Sequence, residues 1–363
     1  MLIGVFGTGR NGSSLIGRLL DGLGDTYVHP VEEKFFTGFN DFCNKGKVTR
    51  LVEQNCVSQK LKSLDKELNC AQLENYFNKN SLNEIYEHCQ STIGTPNDLE
   101  KLSLCNLIGS GQYLVEDFTR NYLEGLSREL RPDVNFKHHM FKTIETPYLA
   151  EYEKRFPDMR FIHIFRHPVT VCSSQKRSLM ENKKLPASYL GYDWLSCMLE
   201  KRWVPHAKFL AEHKDDPRHI IVRYEDLVTD PKGEIKRIAE GLGIEPPPRP
   251  DEQTIFHDLD KTSWGSNPSR KGVDTPKGVV ADLQKRNKYV EVLTKREIDF
   301  IAVKTNGLLE QLGYDRFSDA SRLKVALQYL LLDKWEFMHW RNPRLILLGL
   351  YGIVCRRFYL FRK

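Results

Sequence analysis

A glycine-rich stretch near the amino terminus contains residue types that could bind phosphate groups. The apolar run 2–6 leads into Gly7, and after four intervening residues the chain continues with Gly12, Ser13 and Ser14. This is the spacing of a phosphate-binding loop between a strand and a helix. Glycines let backbone N–H groups point at phosphate oxygens, and the helix start adds free donors and the positive end of its dipole. The stretch predicts a phosphate-binding loop, and the alternative is a glycine-rich turn without a ligand.

The cation of this loop is not at the position that nucleotide kinases use. A Walker loop carries Lys directly before its Ser or Thr, but this chain has Ser13 there and places Arg10 inside the loop. A phosphate-binding loop with an internal Arg and no Walker Lys favours a sulfuryl donor over ATP. The loop residues that we expect to contact the donor are Gly9, Arg10, Asn11, Gly12, Ser13 and Ser14.

Charged residues also follow two other predicted strands. Glu32 and Glu33 come just after the strand-like segment 25–30, and Lys142 ends the segment 135–142. In open α/β sheets, residues just past the carboxyl ends of strands line the ligand crevice. A carboxylate there could act as a general base, although two solvated loop charges fit the pattern equally well. We expect Lys142 to face the same crevice.

An arginine marks a further strand end. The nearly continuous apolar run 160–165 predicts a buried parallel strand, and Arg166 follows it directly. Ser174 comes two turns later in the helix that we expect next. The guanidinium and the hydroxyl could converge on one phosphate group, because the first offers charge and a fork of donors and the second a hydrogen bond.

The order of the segments predicts the fold class. Apolar runs of strand character alternate with stretches of helical period, which favours an α/β fold with a mostly parallel sheet. Residues from about 40 to 131 have a helical period and few strand signals, which predicts a helical insertion able to cap the crevice. We expect a three-layer α/β/α domain over residues 1–320, followed by a basic and apolar helical segment over residues 321–363.

Composition and charge exclude some functions. The chain has 363 residues, of which 40% are hydrophobic, ample for a packed core. Its formal net charge is +6, but residues 322–363 hold nine Lys/Arg and two Asp/Glu, a net of +7 that leaves −1 for the remainder. The body is therefore not a basic surface for nucleic acid, and we expect no nucleic-acid partner. Met1 leads directly into the first strand without a targeting segment, which predicts a cytoplasmic protein.

The pattern of cysteines and histidines predicts no metal site. The eight cysteines include no Cys-x-x-Cys and no His/Cys metal spacing. In a cytoplasmic chain we expect free thiols, many of them buried. His138 and His139 are neighbours in a predicted strand and so point to opposite faces of the sheet.

The C-terminal segment combines the positive excess with a long apolar run. Residues 345–355 carry no charge and have arginines on both sides. These eleven residues are too few to span a bilayer, which needs about 20. A helix over residues 343–361 could instead lie in the headgroup region of a membrane. The alternative is a helix docked on the domain.

Taken together, the motifs resemble those of sulfotransferases that use 3′-phosphoadenosine 5′-phosphosulfate. The stretch 7–14 resembles the 5′-phosphosulfate loop of that family. The sequence Phe165-Arg166-His167-Pro168, with Ser174 eight residues after Arg166, is similar to its 3′-phosphate motif.

Two later segments support the resemblance. The stretch 219–227, followed by Asp230-Pro231 and a predicted helix from about Lys232, resembles a further strand and helix of the family. In that family the position of Tyr224 commonly lies near the nucleotide. The sequence Ser269-Arg270-Lys271-Gly272 resembles the late loop that closes over the 3′-phosphate. The resemblance thus implies Tyr224, Arg270, Lys271 and Gly272 as further donor contacts.

Within the family, the nearest pattern is that of tyrosylprotein sulfotransferases. Their Glu-Glu pair shortly after the first helix is similar to Glu32-Glu33, and their Leu-Lys-Ser at a strand end is similar to residues 141–143. This implies Glu33 as the catalytic base and Lys142 as the cation at the bridging oxygen. The glutamate pair falls slightly later in this chain, and the stretch between Glu33 and Lys142 is longer. The choice between Glu32 and Glu33 therefore stays open, as does the acceptor.

The implied activity is transfer of a sulfuryl group from 3′-phosphoadenosine 5′-phosphosulfate to a hydroxyl acceptor, which could be a carbohydrate, a small molecule or a protein. Glu33, Lys142 and Arg10 would be the catalytic residues, without a metal ion. Two alternatives remain. A P-loop nucleotide or small-molecule kinase would need Lys at position 13, and a membrane-surface protein could bind the nucleotide without turnover. The sequence does not predict the oligomeric state.

Overall fold

The protein is described here by a computed structural model over residues 1–21, 23–36, 64–77, 103–181, 195, 198–245 and 289–330. The chain divides into two units. Unit 1 consists of Met1–Gly7, Gly12–Phe165 and Asp215–Ala281, and unit 2 consists of Thr8–Asn11, Arg166–Lys214 and Asp282–Lys363.

Strands and helices alternate along the chain. The strands are β1 (Leu2–Phe6), β2 (Thr26–Glu32), β3 (Leu68–Asn69), β4 (Gln112–Tyr113), β5 (His138–Thr143), β6 (Arg160–Phe165) and β7 (His219–Arg223). The α-helices are α1 (Ser13–Leu20), α2 (Cys70–Phe77), α3 (Leu104–Ile108), α4 (Val115–Leu130), α5 (Leu149–Arg155), α6 (Pro168–Glu181), α7 (Val204–Glu212), α8 (Tyr224–Thr229), α9 (Pro231–Leu242), α10 (Tyr289–Val292), α11 (Lys295–Gln311) and α12 (Arg322–Leu330). Two 3-10 turns (Leu23–Asp25 and Thr146–Tyr148) and a π-helical turn (Leu199–Trp203) complete the described secondary structure.

The centre of unit 1 is a parallel sheet of five strands in the order β2-β5-β1-β6-β7. β1 lies in the middle and pairs in parallel with β5 and β6, so that Phe6 is in register with Thr143 on one side and His163 on the other. The carboxyl ends of these strands therefore meet at one edge of the sheet, where open α/β sheets bind ligands. This topology confirms the predicted α/β class.

Alternating residues of β1 pack on the two faces of the sheet. On one face, Ile3 and Val5 belong to a buried cluster with Ile16 of α1 and Ile235 of α9. Because side chains alternate along a strand, Phe6 points to the other face. Its ring centroid lies 5.0 Å from that of Tyr152 in α5.

Helix α4 also lies on the aromatic face, where it packs against β5. The hydroxyl of Ser127 in α4 lies 3.0 Å from Nε2 of His139 in β5. Helices therefore cover both faces of the sheet, as the predicted three-layer α/β/α architecture requires.

Strand β2 lies at the edge of the described sheet and is irregular. It extends to Glu32, two residues beyond the predicted end at Pro30. Its pairing with β5 shifts register between Val28 and Glu32. An edge strand tolerates proline and local bulges because one of its sides needs no ladder hydrogen bonds.

The predicted insertion over residues 40–131 is described only in part, since 40–63 and 78–102 lie outside the described residues. Its described helices are α2, α3 and α4, and its two short described strands, β3 and β4, pair antiparallel. A disulfide joins Cys70 to Cys105. The expectation of free thiols is therefore wrong for these two residues, because the fold brings their Cα atoms to 5.6 Å across the insertion. Cys172 is a buried thiol that does not take part in the disulfide.

Unit 2 contains α6, α7, α11 and α12. Lys176 of α6 donates to both carboxylate oxygens of Glu297 in α11, at 2.9 and 2.7 Å. Glu297 also completes a capping box with Thr294 at the start of that helix. The same carboxylate therefore caps α11 and links it to α6.

The C-terminal segment is helical where the structure describes it, over α12. Residues 331–363 lie outside the described residues, and the predicted interfacial helix over 343–361 falls among them. Among the described helices, none combines the length and the apolar character needed to cross a membrane.

Candidate functional site

The predicted phosphate loop has an unusual backbone. Gly9, Arg10 and Gly12 have φ angles of 79°, 60° and 101°. Positive φ is readily adopted by glycine, whereas for an arginine it is uncommon and costly. Such strain is typical of ligand-binding loops, where the surrounding structure maintains it.

The ends of the loop are attached to the sheet and to the first helix of unit 1. Gly7 N donates to Thr143 O at 3.2 Å, and Gly12 O accepts from Ile16 N at 3.1 Å. Gly12 is the N-cap residue of α1 and offers no side-chain cap. The amides of Ser13 and Ser14 open this helix, which is a suitable start for binding an anion.

Tyr224 contacts the loop at Gly12. A Cβ atom at residue 12 would lie 2.5 Å from Cδ2 of the Tyr224 ring, closer than real side chains approach. Glycine is thus required here both by its φ of 101° and by the adjoining ring. Tyr224 begins α8 directly after β7, so the end of a strand positions the ring.

The predicted phosphate-binding side chains of unit 2 form one connected group. Arg10 Nε donates to Ser174 Oγ at 3.2 Å, and Arg166 Nη1 donates to Arg10 O at 3.2 Å. Trp203 Nε1 in turn donates to Arg166 O at 3.0 Å. Arg10, Arg166 and Ser174 are each partly exposed. Two guanidinium groups and a hydroxyl are therefore held together where solvent reaches them.

The two candidate bases differ sharply in environment. Glu32 is exposed, whereas Glu33 is 1% exposed. Glu33 Oε1 lies 2.9 Å from His29 Nε2 and accepts a hydrogen bond from Tyr122 Oη at 3.1 Å. A buried carboxylate needs such donors because burial removes it from water. The geometry therefore favours Glu33 over Glu32 as a specifically positioned carboxylate.

Lys142 is hydrogen-bonded to Glu33 through the backbone, and its side chain is also buried. Glu33 N donates to Lys142 O at 2.8 Å, which continues the pairing of β2 with β5. Lys142 is 7% exposed, and its Nζ donates to Pro30 O at 2.7 Å. Its methylene chain lies against Gly17 of α1, the helix that follows the loop.

A second buried carboxylate lies on the aromatic face. Tyr152 Oη donates to Glu145 Oε2 at 2.6 Å. Burial raises the pKa of Tyr152 well above its ordinary value, and the nearby carboxylates of Glu145 and Glu33 raise it further. Tyr152 therefore remains protonated and acts as a hydrogen-bond donor.

The described residues contain one cluster with the composition of a metal site, formed by Glu153, Asp216 and His219. Arg218 donates to both carboxylates, at 2.6 Å to Glu153 and 2.8 Å to Asp216. Hydrogen bonding to Arg218 lowers the pKa of Asp216 to about 2. The cluster lies at the amino end of β7, away from the loop end of the sheet, and its two carboxylates already share Arg218 as a hydrogen-bond donor. The expectation that no metal takes part stays a prediction.

Three of the predicted donor contacts, Arg270, Lys271 and Gly272, lie outside the described residues. Conversely, the structure adds residues that the site prediction lacked. Tyr122 contacts Glu33 from the insertion, and Gly17 makes room for Lys142. Neither carries a recognisable motif, and only the helical period of the segment around Tyr122 was visible in the sequence.

Comparison with known proteins identifies the family. We found no curated protein that matches the chain. Among solved structures, a sulfotransferase domain from the Synechococcus PCC 7002 olefin synthase is 18% identical, with a TM-score of 0.48, and the match covers 86% of this chain and 94% of that one. A sulfotransferase domain from the curacin biosynthetic pathway is 13% identical with a TM-score of 0.48, covering 86% and 97%. These likenesses are too distant to carry an argument. A sequence model of the sulfotransferase family, however, matches residues 3–248 of this chain. The chain belongs to the sulfotransferase family.

Proposed function

We propose that this sulfotransferase transfers a sulfuryl group from 3′-phosphoadenosine 5′-phosphosulfate to a hydroxyl acceptor. The observation that carries the proposal is the connected group of Arg10, Arg166 and Ser174, with hydrogen bonds of 3.2 Å from Arg10 to Ser174 and from Arg166 to Arg10. The resemblance assigns these residues to two different phosphate groups of one donor. Their joint positioning suits a ligand that carries several anionic groups.

The donor fits the phosphate loop through the chemistry of its backbone. The N–H groups of Gly9, Asn11, Gly12, Ser13 and Ser14 would bind the 5′-phosphosulfate. The uncapped start of α1 supports this, because amides at a helix N-terminus favour anions. Arg166 and Ser174 would bind the 3′-phosphate. Tyr224 would lie near the nucleotide, and Arg270, Lys271 and Gly272 would close over its 3′-phosphate.

The proposed reaction needs one base and two cations. Glu33 would take the proton of the acceptor hydroxyl while the hydroxyl oxygen forms a bond to sulfur. The bond from sulfur to the bridging oxygen then breaks, and adenosine 3′,5′-bisphosphate leaves. Lys142 would stabilise the charge on the bridging oxygen, and Arg10 the charge on the sulfuryl oxygens. A sulfuryl group carries less charge than a phosphoryl group, so protein cations suffice and we propose no metal ion.

The acceptor is a hydroxyl compound, and we leave carbohydrate, small-molecule and protein hydroxyls as candidates. The cytoplasmic location remains a prediction. The disulfide between Cys70 and Cys105 weighs against it, because disulfides persist mainly in oxidising compartments. Attachment to membranes through residues 343–361 also remains a prediction.

Thermal unfolding with ligands tests the donor assignment. Adenosine 3′,5′-bisphosphate should raise the unfolding temperature without Mg²⁺, since a ligand that binds only the folded state stabilises it. ATP should do so only weakly. Stronger stabilisation by ATP with Mg²⁺ would instead favour a kinase, and bisphosphate binding without any transfer to an acceptor panel would favour a nucleotide-binding protein without turnover.

A further inference from the structure

Two side chains converge on one oxygen of the proposed base. Oε1 of Glu33 is 2.9 Å from Nε2 of His29 and 3.1 Å from the hydroxyl of Tyr122. His29 and Tyr122 are 0% exposed and Glu33 is 1% exposed. The three side chains therefore form a buried group that is shielded from bulk water.

The two donors belong to different parts of the chain. His29 lies in β2, four residues before Glu33, while Tyr122 lies in α4 of the insertion. Residues four apart in a regular strand are separated by about 13 Å. The pairing of β2 with β5 shifts register between Val28 and Glu32, so this stretch is not a regular strand, and His29 and Glu33 lie in contact across it.

The position of Tyr122 is itself fixed by aromatic packing. Its ring is stacked on Phe118 with a centroid distance of 5.5 Å, and Phe35 and Phe77 contact it at 5.9 and 5.8 Å. The ring of His29 lies 5.8 Å away. Because these rings are buried and fit tightly, the hydroxyl has little freedom to leave Glu33.

From this arrangement we infer that His29 and Tyr122 are positioning residues that hold the carboxylate of Glu33 in one orientation for proton transfer. His29 acts as the tautomer that carries hydrogen on Nε2 and donates it to Oε1. This inference rests on the proposed function, because it requires Glu33 to be the base. It also gives the insertion a role, since α4 supplies one of the two donors.

The test compares variants that keep or remove each donor. His29→Leu removes the donor while retaining an apolar side chain of moderate size, and His29→Gln keeps an amide that can donate. Tyr122→Phe removes only the hydroxyl. Turnover is measured as transfer of ³⁵S from labelled donor to a panel of phenols, sugars and tyrosine peptides, with release of sulfate to water included.

We expect His29→Leu and Tyr122→Phe to lower kcat about 10- to 100-fold, the scale of a misplaced catalytic group. Affinity for adenosine 3′,5′-bisphosphate should be unchanged, and His29→Gln should recover most of the loss. If the two side chains served only to stabilise the fold, the variants would instead yield less folded protein. They would not show a lower kcat together with an unchanged affinity for the bisphosphate.

Tyr152→Phe is the matched control. Tyr152 is also a fully buried tyrosine that donates to a buried carboxylate, that of Glu145. Removing its hydroxyl should reduce thermal stability but leave the kcat of folded protein unchanged.

The outcomes separate the inference from the proposed function. If the wild type transfers no sulfuryl group to any acceptor or to water, both fail. If the wild type is active and Glu33→Gln is not, but folded His29→Leu and Tyr122→Phe keep wild-type kcat, only the inference fails. It fails equally if His29→Gln is as impaired as His29→Leu, because the hydrogen bond would then not be the role of His29.

Discussion

The side chain of Lys142 runs across Gly17 of α1. A Cβ atom at residue 17 would lie 2.9 Å from Cδ of Lys142 and 3.4 Å from Cγ1 of Val28. Gly17 is therefore the residue that leaves space for the lysine beside the helix following the phosphate loop. Gly17 has no side chain that could take part in the reaction, but it is in contact with Lys142, the proposed catalytic cation.

Gly17→Ala should displace Lys142 and reduce turnover by about 10- to 100-fold, because small shifts of a catalytic group are costly. Stability should change little, since alanine also favours the helix. The matched control is Gly241→Ala in α9, where a Cβ would lie 2.9 Å from Cδ1 of Ile220. Steady-state kinetics should show a lower turnover only for Gly17→Ala. Equal turnover in the two variants would mean that Gly17 does not affect the position of Lys142 in the site.

Arg166→Ala should weaken binding of adenosine 3′,5′-bisphosphate by about 2–3 kcal/mol, the scale of a hydrogen bond to a charged group. Isothermal titration calorimetry measures this directly. Arg120→Ala serves as the control, because Arg120 pairs with Asp158 on the surface. If the Arg166 variant binds the bisphosphate with unchanged affinity, Arg166 is not part of the donor site.

The disulfide should contribute measurably to stability. Replacing Cys70 and Cys105 together by Ala should lower the free energy of unfolding by about 2–4 kcal/mol, since the bond closes a loop across 35 residues. Denaturant unfolding of both proteins under oxidising conditions gives the difference. Identical midpoints would mean that the bond adds no stability to the folded protein.

The C-terminal segment should bind anionic vesicles through its basic residues, each worth about 1 kcal/mol near such a surface. Removing residues 322–363 should abolish co-sedimentation with the vesicles and leave bisphosphate binding intact. Added salt should weaken the attachment. If the full-length protein does not bind the vesicles and the truncation lowers the thermal stability of the protein, the segment packs on the domain instead.

The sequence predicted the centre of the fold well, because that part depends on local patterns. The apolar run of β1, the glycines and the helical period of α1 are contiguous. Glu33 and Arg166 directly follow β2 and β6, and Lys142 lies at the end of β5. Sequence also indicated Glu33, Lys142 and Arg166 as site candidates. Their type and their position at the end of a strand or just after it were enough for that.

The environment of Glu33 could not be predicted, because it depends on a bulge and on long-range packing. A regular β2 would separate His29 from Glu33, and Tyr122 is 89 residues away along the chain. The disulfide was missed for a similar reason. Cys70 and Cys105 have no recognisable spacing, and only the packing of the insertion brings them together.

Transfer of the sulfuryl group itself tests the central claim most directly. Wild type and Glu33→Gln are incubated with ³⁵S-labelled 3′-phosphoadenosine 5′-phosphosulfate and the hydroxyl panel without Mg²⁺, with Glu32→Gln as the matched exposed control. The wild type should label an acceptor, Glu33→Gln should be slower by about 10²- to 10⁴-fold with unchanged bisphosphate affinity, and Glu32→Gln should resemble the wild type. Full activity in Glu33→Gln, or no donor-dependent labelling by the wild type, would contradict the account.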